Sequence, residues 1–337
     1  MIIILSSSAK ESDATDLMNR FPDMPDSGIH YDGGRYVIHI SKVCDSETAS
    51  ALEAHPLVER VVSIEAPYLR VASADGSARK VVKVGRIAFG EPHFTVIAGP
   101  CAIESEEQLM DTAVAVKAAG ASVLRGGAYK PRTSPYAFQG MGEAGLVVLN
   151  EIGRKLDMPV VTEVMDPRDV ELVGAYADML QIGARNMQNS PLLKEVGSLG
   201  KPVLLKRHPM ATYEEWLLAA EYIAATGNDQ IVLCERGIRT FETYTRNTLD
   251  LASVAVIQQL SCLPVIVDPS HGCGRWKLVT PLTLASAAVG ADGVMIEVHP
   301  NPEQALSDGP QSLHTERFSL LMDQLKIILP IMGRNLS

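Results

Sequence analysis

At 337 residues the chain has room for one large barrel and a small extra domain, with a core that needs neither disulfides nor a structural metal as staples. Lys and Arg together number 30 against 40 Asp and Glu, and the net charge of -10 argues against a general nucleic-acid binder or a protein held electrostatically on anionic membranes. The five cysteines (Cys44, Cys101, Cys234, Cys262 and Cys273) are odd in number, widely scattered and form no C-x-x-C pair, which predicts a reducing, cytoplasmic setting.

The first stretch, MIIILSSSAKESD, lacks a basic leader, and no later apolar run is long enough to span a bilayer, so a soluble, unexported chain is expected. Residues 1–72 then alternate strand and helix signals. IIIL precedes a polar helical stretch near Glu11 to Phe21, GIHY and RYVIHI flank a Gly33-Gly34 turn, and ETASALEAHP leads into VERVVSIEAP. This β-α-β-β-α-β order predicts a small α+β ferredoxin-like domain, a packing or oligomerisation module as readily as a ligand sensor.

SADGS marks a linker, placed at residues 73–80, and RKVVKVGRIAFG reads as a short hairpin leading into the main domain at 81–337. Eight apolar, β-branched segments follow, alternating with helices: FTVIAGPC, SVLRGGA, PVVTEV, MLQIGA, PVLLKR, IVLCERG, PVIVDPS and GVMIEV. Eight repeats of one unit favour a parallel sheet closed as a (β/α)8 TIM barrel, with an open doubly wound sheet as the alternative. The helices carry their own boundaries: Thr212 and Glu215 form a capping box, Trp216, Ala220 and Ile223 share a face, and Gly227 is a stop.

In such a barrel the C-terminal strand ends converge on one rim. Cys101 falls at the end of the first strand, His271 of the seventh and Glu297 of the eighth, with Asp308 in the loop beyond; closure makes those strands neighbours. Singly, these are a small buried residue, a satisfied core histidine and salt-bridge partners. Together they make a divalent metal site, whose mixed soft and hard donors suit manganese, iron, cobalt or zinc. Cys234 and Cys262 read as core, and Cys273 is an ambiguous neighbour.

The opposite arc of the rim is expected to be basic, with Arg125 on strand two, Lys130 and Arg132 beyond it, Arg185 after strand four, Lys206 on strand five and Arg236 after strand six. The stretch LRGGAYKPRTS adds Thr133, Ser134 and two glycines, so that cations, hydroxyls and backbone N–H groups are available to a phosphorylated ligand. Buried cations need partners, either carboxylates in a structural network or anionic ligands. Two clusters from different sectors point to two phosphate-sized anions.

AGPC, LRGGAYKPRTSPYAFQG, QIGARNMQN, LLKR, LCERGIRT, VDPSHG, IEVHP and ALSDGPQSL together resemble 3-deoxy-D-arabino-heptulosonate 7-phosphate (DAHP) synthases of the type I-beta form, over about residues 85 to 325. The amino-terminal module looks like the ferredoxin-like regulatory domain of some relatives. The resemblance implies a transferase that condenses phosphoenolpyruvate with erythrose 4-phosphate at the entry to aromatic amino-acid biosynthesis, the shikimate pathway.

It also implies one divalent ion per subunit on Cys101, His271, Glu297 and Asp308. Phosphoenolpyruvate would be held by Arg125, Lys130, Gly183, Ala184, Arg185, Lys206 and Arg236, and the aldose phosphate by Arg132, Thr133 and Ser134, with Pro131 stiffening the loop. Lys130 is the first candidate proton donor; the alternatives are a purely electrostatic lysine, with Glu163 or a metal-bound water managing protons. A homodimer or homotetramer regulated by tyrosine or phenylalanine is the corresponding expectation. The rivals are 3-deoxy-D-manno-octulosonate 8-phosphate synthase, which uses arabinose 5-phosphate and usually has Asn at the place of Pro131, and a non-catalytic amino-acid sensor. His208-Pro209 after LLKR and Gly272-Cys273 after the histidine depart from the commonest family pattern.

Overall fold

The structure is a computed structural model that describes residues 1–20, 28–40, 46–62, 67–73, 79–131 and 134–337. Cys44, Arg132, Thr133 and most of the expected linker lie outside the described residues. The chain divides into two compact units, Met1–Ser77 and Ala78–Ser337.

The first unit runs β1 (Ile2–Leu5), α1 (Glu11–Met18), β2 (Gly28–Asp32), β3 (Arg35–His39), α2 (Ser46–Glu53) and β4 (Val58–Val62). Its sheet has the order β2-β3-β1-β4, and every neighbouring pair is antiparallel. Gly33 and Gly34 both have positive φ, the requirement of a tight two-residue hairpin whose twist matches the strands it joins. Alternation along β1 turns Ile3 and Leu5 inward, where they meet Ala14 and Leu17 of α1, Ile38 of β3 and Val61 of β4.

The second unit opens with a hairpin, β5 (Val82–Val84) and β6 (Ile87–Phe89), before the first barrel strand. Eight parallel strands follow: β7 (His93–Gly99), β8 (Val123–Arg125), β9 (Val160–Val164), β10 (Met179–Ile182), β11 (Val203–Lys206), β12 (Ile231–Glu235), β13 (Val265–Val267) and β14 (Gly293–Glu297). Pairing of β14 with β7, from Gly293↔Thr95 to Glu297↔Gly99, closes the barrel and excludes the open sheet. Inside, Ile97, Val123, Val161, Met179, Leu204 and Met295 pack against Val82, Val84, Ile87 and Phe89 of the hairpin, which therefore caps the N-terminal end of the barrel. Cys234 belongs to this apolar interior and Cys262 is buried, as expected for core thiols.

The outer helices are α3 (Glu106–Ala119), α4 (Glu143–Lys155), α5 (Val170–Tyr176), α6 (Ser190–Ser198), α7 (Tyr213–Ala224), α8 (Ala252–Leu260), a short α9 (Pro269–Cys273), α10 (Trp276–Ala288) and α11 (Thr315–Ile331). In α7 the capping box is formed, because the Thr212 hydroxyl accepts from the Glu215 N–H and the Glu215 carboxylate accepts from the Thr212 N–H. Its buried face carries Trp216, Ala220 and Ile223, and the Trp216 indole N–H donates to the Leu205 carbonyl at 3.2 Å, which ties the helix to the strand bearing Lys206. A last short strand, β15 (Asn335–Leu336), pairs with the start of β7. Among the described residues, no helix is long and apolar enough to cross a membrane.

Candidate metal centre and anion-binding cleft

Barrel closure brings the end of β14 beside the end of β7, so Glu297 stands opposite Gly99, two residues before Cys101. Gly99 has a φ of 149, and a Cβ there would lie 2.1 Å from the Arg125 carbonyl oxygen; only glycine lets the ends of β7 and β8 approach this closely. His271 was expected at the tip of the seventh strand. It sits instead on α9, because Asp268 caps that turn by accepting from the His271 N–H at 2.9 Å and Pro269 occupies its first position. Asp308 lies in the loop after β14 with a φ of 54, a left-handed conformation that aspartate tolerates better than most residues.

These elements place one donor atom each from Cys101, His271, Glu297 and Asp308 within 4.8 Å of one another. The imidazole Nε2 is 3.4 Å from Glu297 Oε1 and 3.7 Å from Asp308 Oδ2, and the Cys101 thiol is 3.3 Å from Asp308 Oδ2. Ion–donor bonds of about 2.0–2.3 Å imply donor separations of roughly 3.3–3.8 Å in a tetrahedron, so these spacings suit a single cation. Glu297 Oε1 is buried and accepts no hydrogen bond; its positive neighbour is the Arg125 guanidinium, whose NH2 is 3.1 Å away, which leaves the oxygen able to take a cation as well.

The electrostatics agree with that fit. Burial, helped by the nearby Glu297 charge, pushes the Cys101 thiol up to about 12 although Lys130 opposes it, so the thiolate needs another cation beside it. Burial also lowers the His271 imidazole below its ordinary value, more than Asp268 and Glu297 raise it, which favours the neutral, metal-binding form. For Asp308 burial acts upward, yet His271 and Arg246 hold the carboxyl down at about 2. The other ring nitrogen, Nδ1, is 2.7 Å from Asp268 Oδ2, which fixes the ring with Nε2 facing the cluster. Cys273 takes no part: its thiol points to the Arg275 carbonyl.

Next to the cluster is a cleft of about 350 Å³ lined by Arg125, Lys130, Arg185, Lys206 and Arg236, together with Gly183, Ala184 and Pro131. The expectation of a basic arc opposite the metal ligands needs correction, since the two sets interleave. Arg125 NH2 is 3.1 Å from Glu297 Oε1, and Lys130 Nζ is 3.0 Å from Cys101 Sγ and donates to its carbonyl at 2.9 Å. The reason is register: Arg125 ends β8, one strand from β7, and a Gly127 Cβ would lie 2.8 Å from Lys130 Cδ, so glycine opens the path by which the lysine reaches back.

The cations do not all share one kind of partner. Lys206 donates to Asp268 Oδ2 at 2.5 Å, and Asp268, fully buried, is held well below the usual carboxylate range because His271 and Lys206 outweigh the opposing effect of burial. Among the described residues, Arg125 has a buried NH1 without a hydrogen bond, the exposed Arg185 reaches only the Pro131 carbonyl at 3.4 Å, and no side-chain hydrogen bond or ion pair holds Arg236. Burial lowers the Arg236 guanidinium's affinity for its proton, the response of a desolvated cation short of negative charge. These three are where an anion is wanted. Ser134 is exposed and does not line the cleft; its hydroxyl accepts from the Tyr136 N–H.

Several participants escaped the sequence reading. Asp268, shared between Lys206 and His271, stands three residues before the histidine as a cap followed by proline, a signal that was available in VDPSH. Gln181 donates to Glu163 Oε2 at 3.2 Å inside the cleft, and a Cβ on Gly183 would lie 1.9 Å from Glu163 Oε1. Arg246 and Gln311, which contact Asp308 and Glu297, carry no local signal.

Known proteins give this geometry a context. The sequence profile described as the DAHP synthetase I family matches residues 71–330. The phospho-2-dehydro-3-deoxyheptonate aldolase of Thermotoga maritima is 48% identical over 335 residues, covering 99% of each chain. The 2-dehydro-3-deoxyphosphooctonate aldolase of Syntrophobacter fumaroxidans is 33% identical and covers 70% of this chain and 87% of its own. Among solved structures, the crystal structure of the Thermotoga maritima aldolase (DAHP synthase) superposes with a TM-score of 0.80 at 47% identity, covering 100% of this chain and 99% of that one. A truncated form of 3-deoxy-D-arabino-heptulosonate 7-phosphate synthase from the same organism gives 0.74 at 50% identity, covering 79% of this chain and 98% of that one. With a profile match spanning the whole barrel and a relative nearly half identical from end to end, the chain belongs to the DAHP synthetase I family.

Proposed function

We propose that the chain condenses phosphoenolpyruvate with D-erythrose 4-phosphate and water to give DAHP and phosphate, the first step of the shikimate pathway. The observation that carries this reading is the union, at one rim, of four convergent metal donors with a cleft of cations in which buried Arg236 has no carboxylate partner among the described residues and Arg125 keeps a buried NH1 free of hydrogen bonds. The full-length similarity to the Thermotoga maritima enzyme favours the four-carbon aldose over the arabinose 5-phosphate of the eight-carbon branch.

Arg125, Lys206, Arg236 and Arg185 hold the phosphate and carboxylate of phosphoenolpyruvate, with the backbone at Gly183 and Ala184 close against it. Lys130 completes this set. Arg132 and Thr133 hold the aldose phosphate, and Pro131 limits the conformational freedom lost on binding. Cys101, His271, Glu297 and Asp308 hold one divalent ion of the manganese, iron, cobalt or zinc type. When bound, that ion supplies a Lewis acid for the aldehyde carbonyl.

In this orientation C3 of phosphoenolpyruvate forms the new carbon–carbon bond to the aldehyde carbon while water adds at C2. The resulting phosphohemiketal collapses, the C2–O bond to phosphate breaks, and inorganic phosphate leaves. Lys130 Nζ delivers a proton to the new hydroxyl. Burial works against its charge, but the neighbouring Cys101 and Glu163 raise its proton affinity, so it enters the reaction as the ammonium. Glu163, whose carboxylate accepts from Gln181 at 3.2 Å, would take the proton from the attacking water.

The first unit is proposed to be a ferredoxin-like regulatory domain that binds tyrosine or phenylalanine, in a homodimer or homotetramer located in the cytoplasm. The defining experiment measures phosphate release from phosphoenolpyruvate with erythrose 4-phosphate or arabinose 5-phosphate, with and without chelator and added manganese. Turnover confined to erythrose 4-phosphate and lost to chelator is expected. Preference for arabinose 5-phosphate would move the chain to the eight-carbon branch, and phosphate release untouched by chelator would remove the metal from the mechanism.

A further inference from the structure

The loop between β12 and α8 supplies no metal donor, yet its backbone lies along the segment that carries His271. The Arg246 and Asn247 N–H groups donate to the carbonyls of Cys273 and Gly272 at 3.0 and 3.1 Å, and the Asn247 amide donates to the His271 carbonyl at 3.2 Å. The contact depends on the absence of side chains beneath it. A Cβ on Gly274 would lie 2.5 Å from Arg246 Cβ, and one on Gly272 the same 2.5 Å from Leu249 Cδ1.

From this seat Arg246 reaches the two carboxylates of the cluster. Its NH1 is 3.3 Å from Asp308 Oδ1 and donates at 3.0 Å to the Gln311 amide oxygen, while the Gln311 amide nitrogen donates at 2.6 Å to Glu297 Oε2. Glutamine can do both because one end of its side chain accepts and the other donates; glutamate would set a second carboxylate against Glu297, and an apolar residue would leave both partners unmatched. The oxygens engaged, Asp308 Oδ1 and Glu297 Oε2, are the ones turned away from the cluster. Asp308 Oδ2 and Glu297 Oε1 are left facing Cys101 and His271.

We infer that Arg246 and Gln311 are positioning residues that lock the two carboxylates in the rotation required to bind the cation, so that the sixth barrel unit, which carries Arg236, also sets the geometry of a metal centre built from the first, seventh and eighth. The inference rests on the metal reading above. Because Arg246 also lines the anion cleft, one guanidinium spans both parts of the site.

The test measures Mn²⁺ and Co²⁺ dissociation constants by competition with a chromogenic chelator, with the visible spectrum of the Co²⁺ form, for the wild-type chain, Arg246→Met, Arg246→Lys, Gln311→Met, the double variant and Cys101→Ala. Arg246 has 41% side-chain exposure, so its replacement tests the point without threatening the fold. Each Met variant should weaken cation affinity about 10- to 100-fold and shift the Co²⁺ bands. The double variant should lose less than the product of the two, since both break one chain of hydrogen bonds, and Arg246→Lys should recover part of the loss. Affinities within twofold of wild type for both Met variants, while Cys101→Ala loses the ion, would overturn the inference alone. A wild-type chain that retains neither cation would overturn the metal reading, and this inference with it.

Discussion

Replacing Asp268 by Asn removes one negative charge at the point where the anion cleft and the metal cluster share an atom. Asp268 Oδ2 accepts from Lys206 Nζ at 2.5 Å and from His271 Nδ1 at 2.7 Å, while Oδ1 accepts from the His271 N–H at 2.9 Å. An asparagine has one oxygen. If its nitrogen takes the Oδ2 position, it faces the Lys206 ammonium and the imidazole N–H with hydrogens of its own; if the amide flips, the helix cap on α9 is lost. Because Lys206 and Asp268 have side-chain exposures of 5% and 0%, water cannot replace the missing partner.

Breaking a buried ion pair from one side costs about 3–5 kcal/mol. For a domain of this size each kcal/mol lowers the melting temperature by about 2–4 °C, so the metal-free variant should melt roughly 6–20 °C below the metal-free parent. Cation affinity should fall about 10- to 100-fold as well, because the histidine loses the partner that orients Nε2. Calorimetry on the metal-free proteins and chelator competition on the loaded ones read the two effects separately. A melting shift under about 2 °C with unchanged affinity would refute the reasoning that Asp268 bears both loads, since no pairing penalty of the expected size could then be present.

Lys130→Met should lower kcat by at least about 10²-fold while one divalent ion per chain is still bound; near-normal turnover would remove the lysine from proton transfer. Gly183→Ala should reduce kcat/KM for phosphoenolpyruvate by about 10²-fold, because the added Cβ displaces the Glu163 carboxylate from its place beside Gln181, and an unchanged value would show that Glu163 has no role. Arg207→Met should destabilise the fold by about 3–5 kcal/mol in denaturant titration, since Arg207 bridges the buried Glu235 at 3.0 Å and Asp250 at 2.8 Å. Deletion of residues 1–72 should abolish inhibition by tyrosine or phenylalanine and leave turnover; equal inhibition of the shortened enzyme would remove the regulatory role from that unit.

Local chemistry made much of the architecture readable from the chain alone. Segments such as PVLLKR and GVMIEV are short and apolar and carry a charge at or next to the end, so both the strand and the position of its functional residue at the exit follow from pattern. Caps act over three residues, and the Thr212–Glu215 box and the Gly33-Gly34 turn were therefore visible too. The identities of Cys101, His271, Glu297 and Asp308 could be proposed because eightfold repetition implies closure, and closure implies which ends are neighbours.

What sequence could not contain is the direction in which side chains lean once the barrel has closed. Arg125 and Lys130 look, in one dimension, like part of a separate basic arc; in the fold they reach back to Glu297 and Cys101, because closure puts β7 between β14 and β8 and long cationic side chains span that one intervening strand. His271 moved from a strand tip onto a capped helical turn. Asp268 became the shared partner of two groups 62 and 3 residues away, and Arg246 and Gln311 met across 65 residues of chain. Composition and periodicity determined that this is an acidic chain with a barrel and a rim of donors. Which carboxylate oxygens face the cluster, and which cations are left wanting an anion, was decided only by tertiary packing, because those contacts join residues with no local relation in sequence.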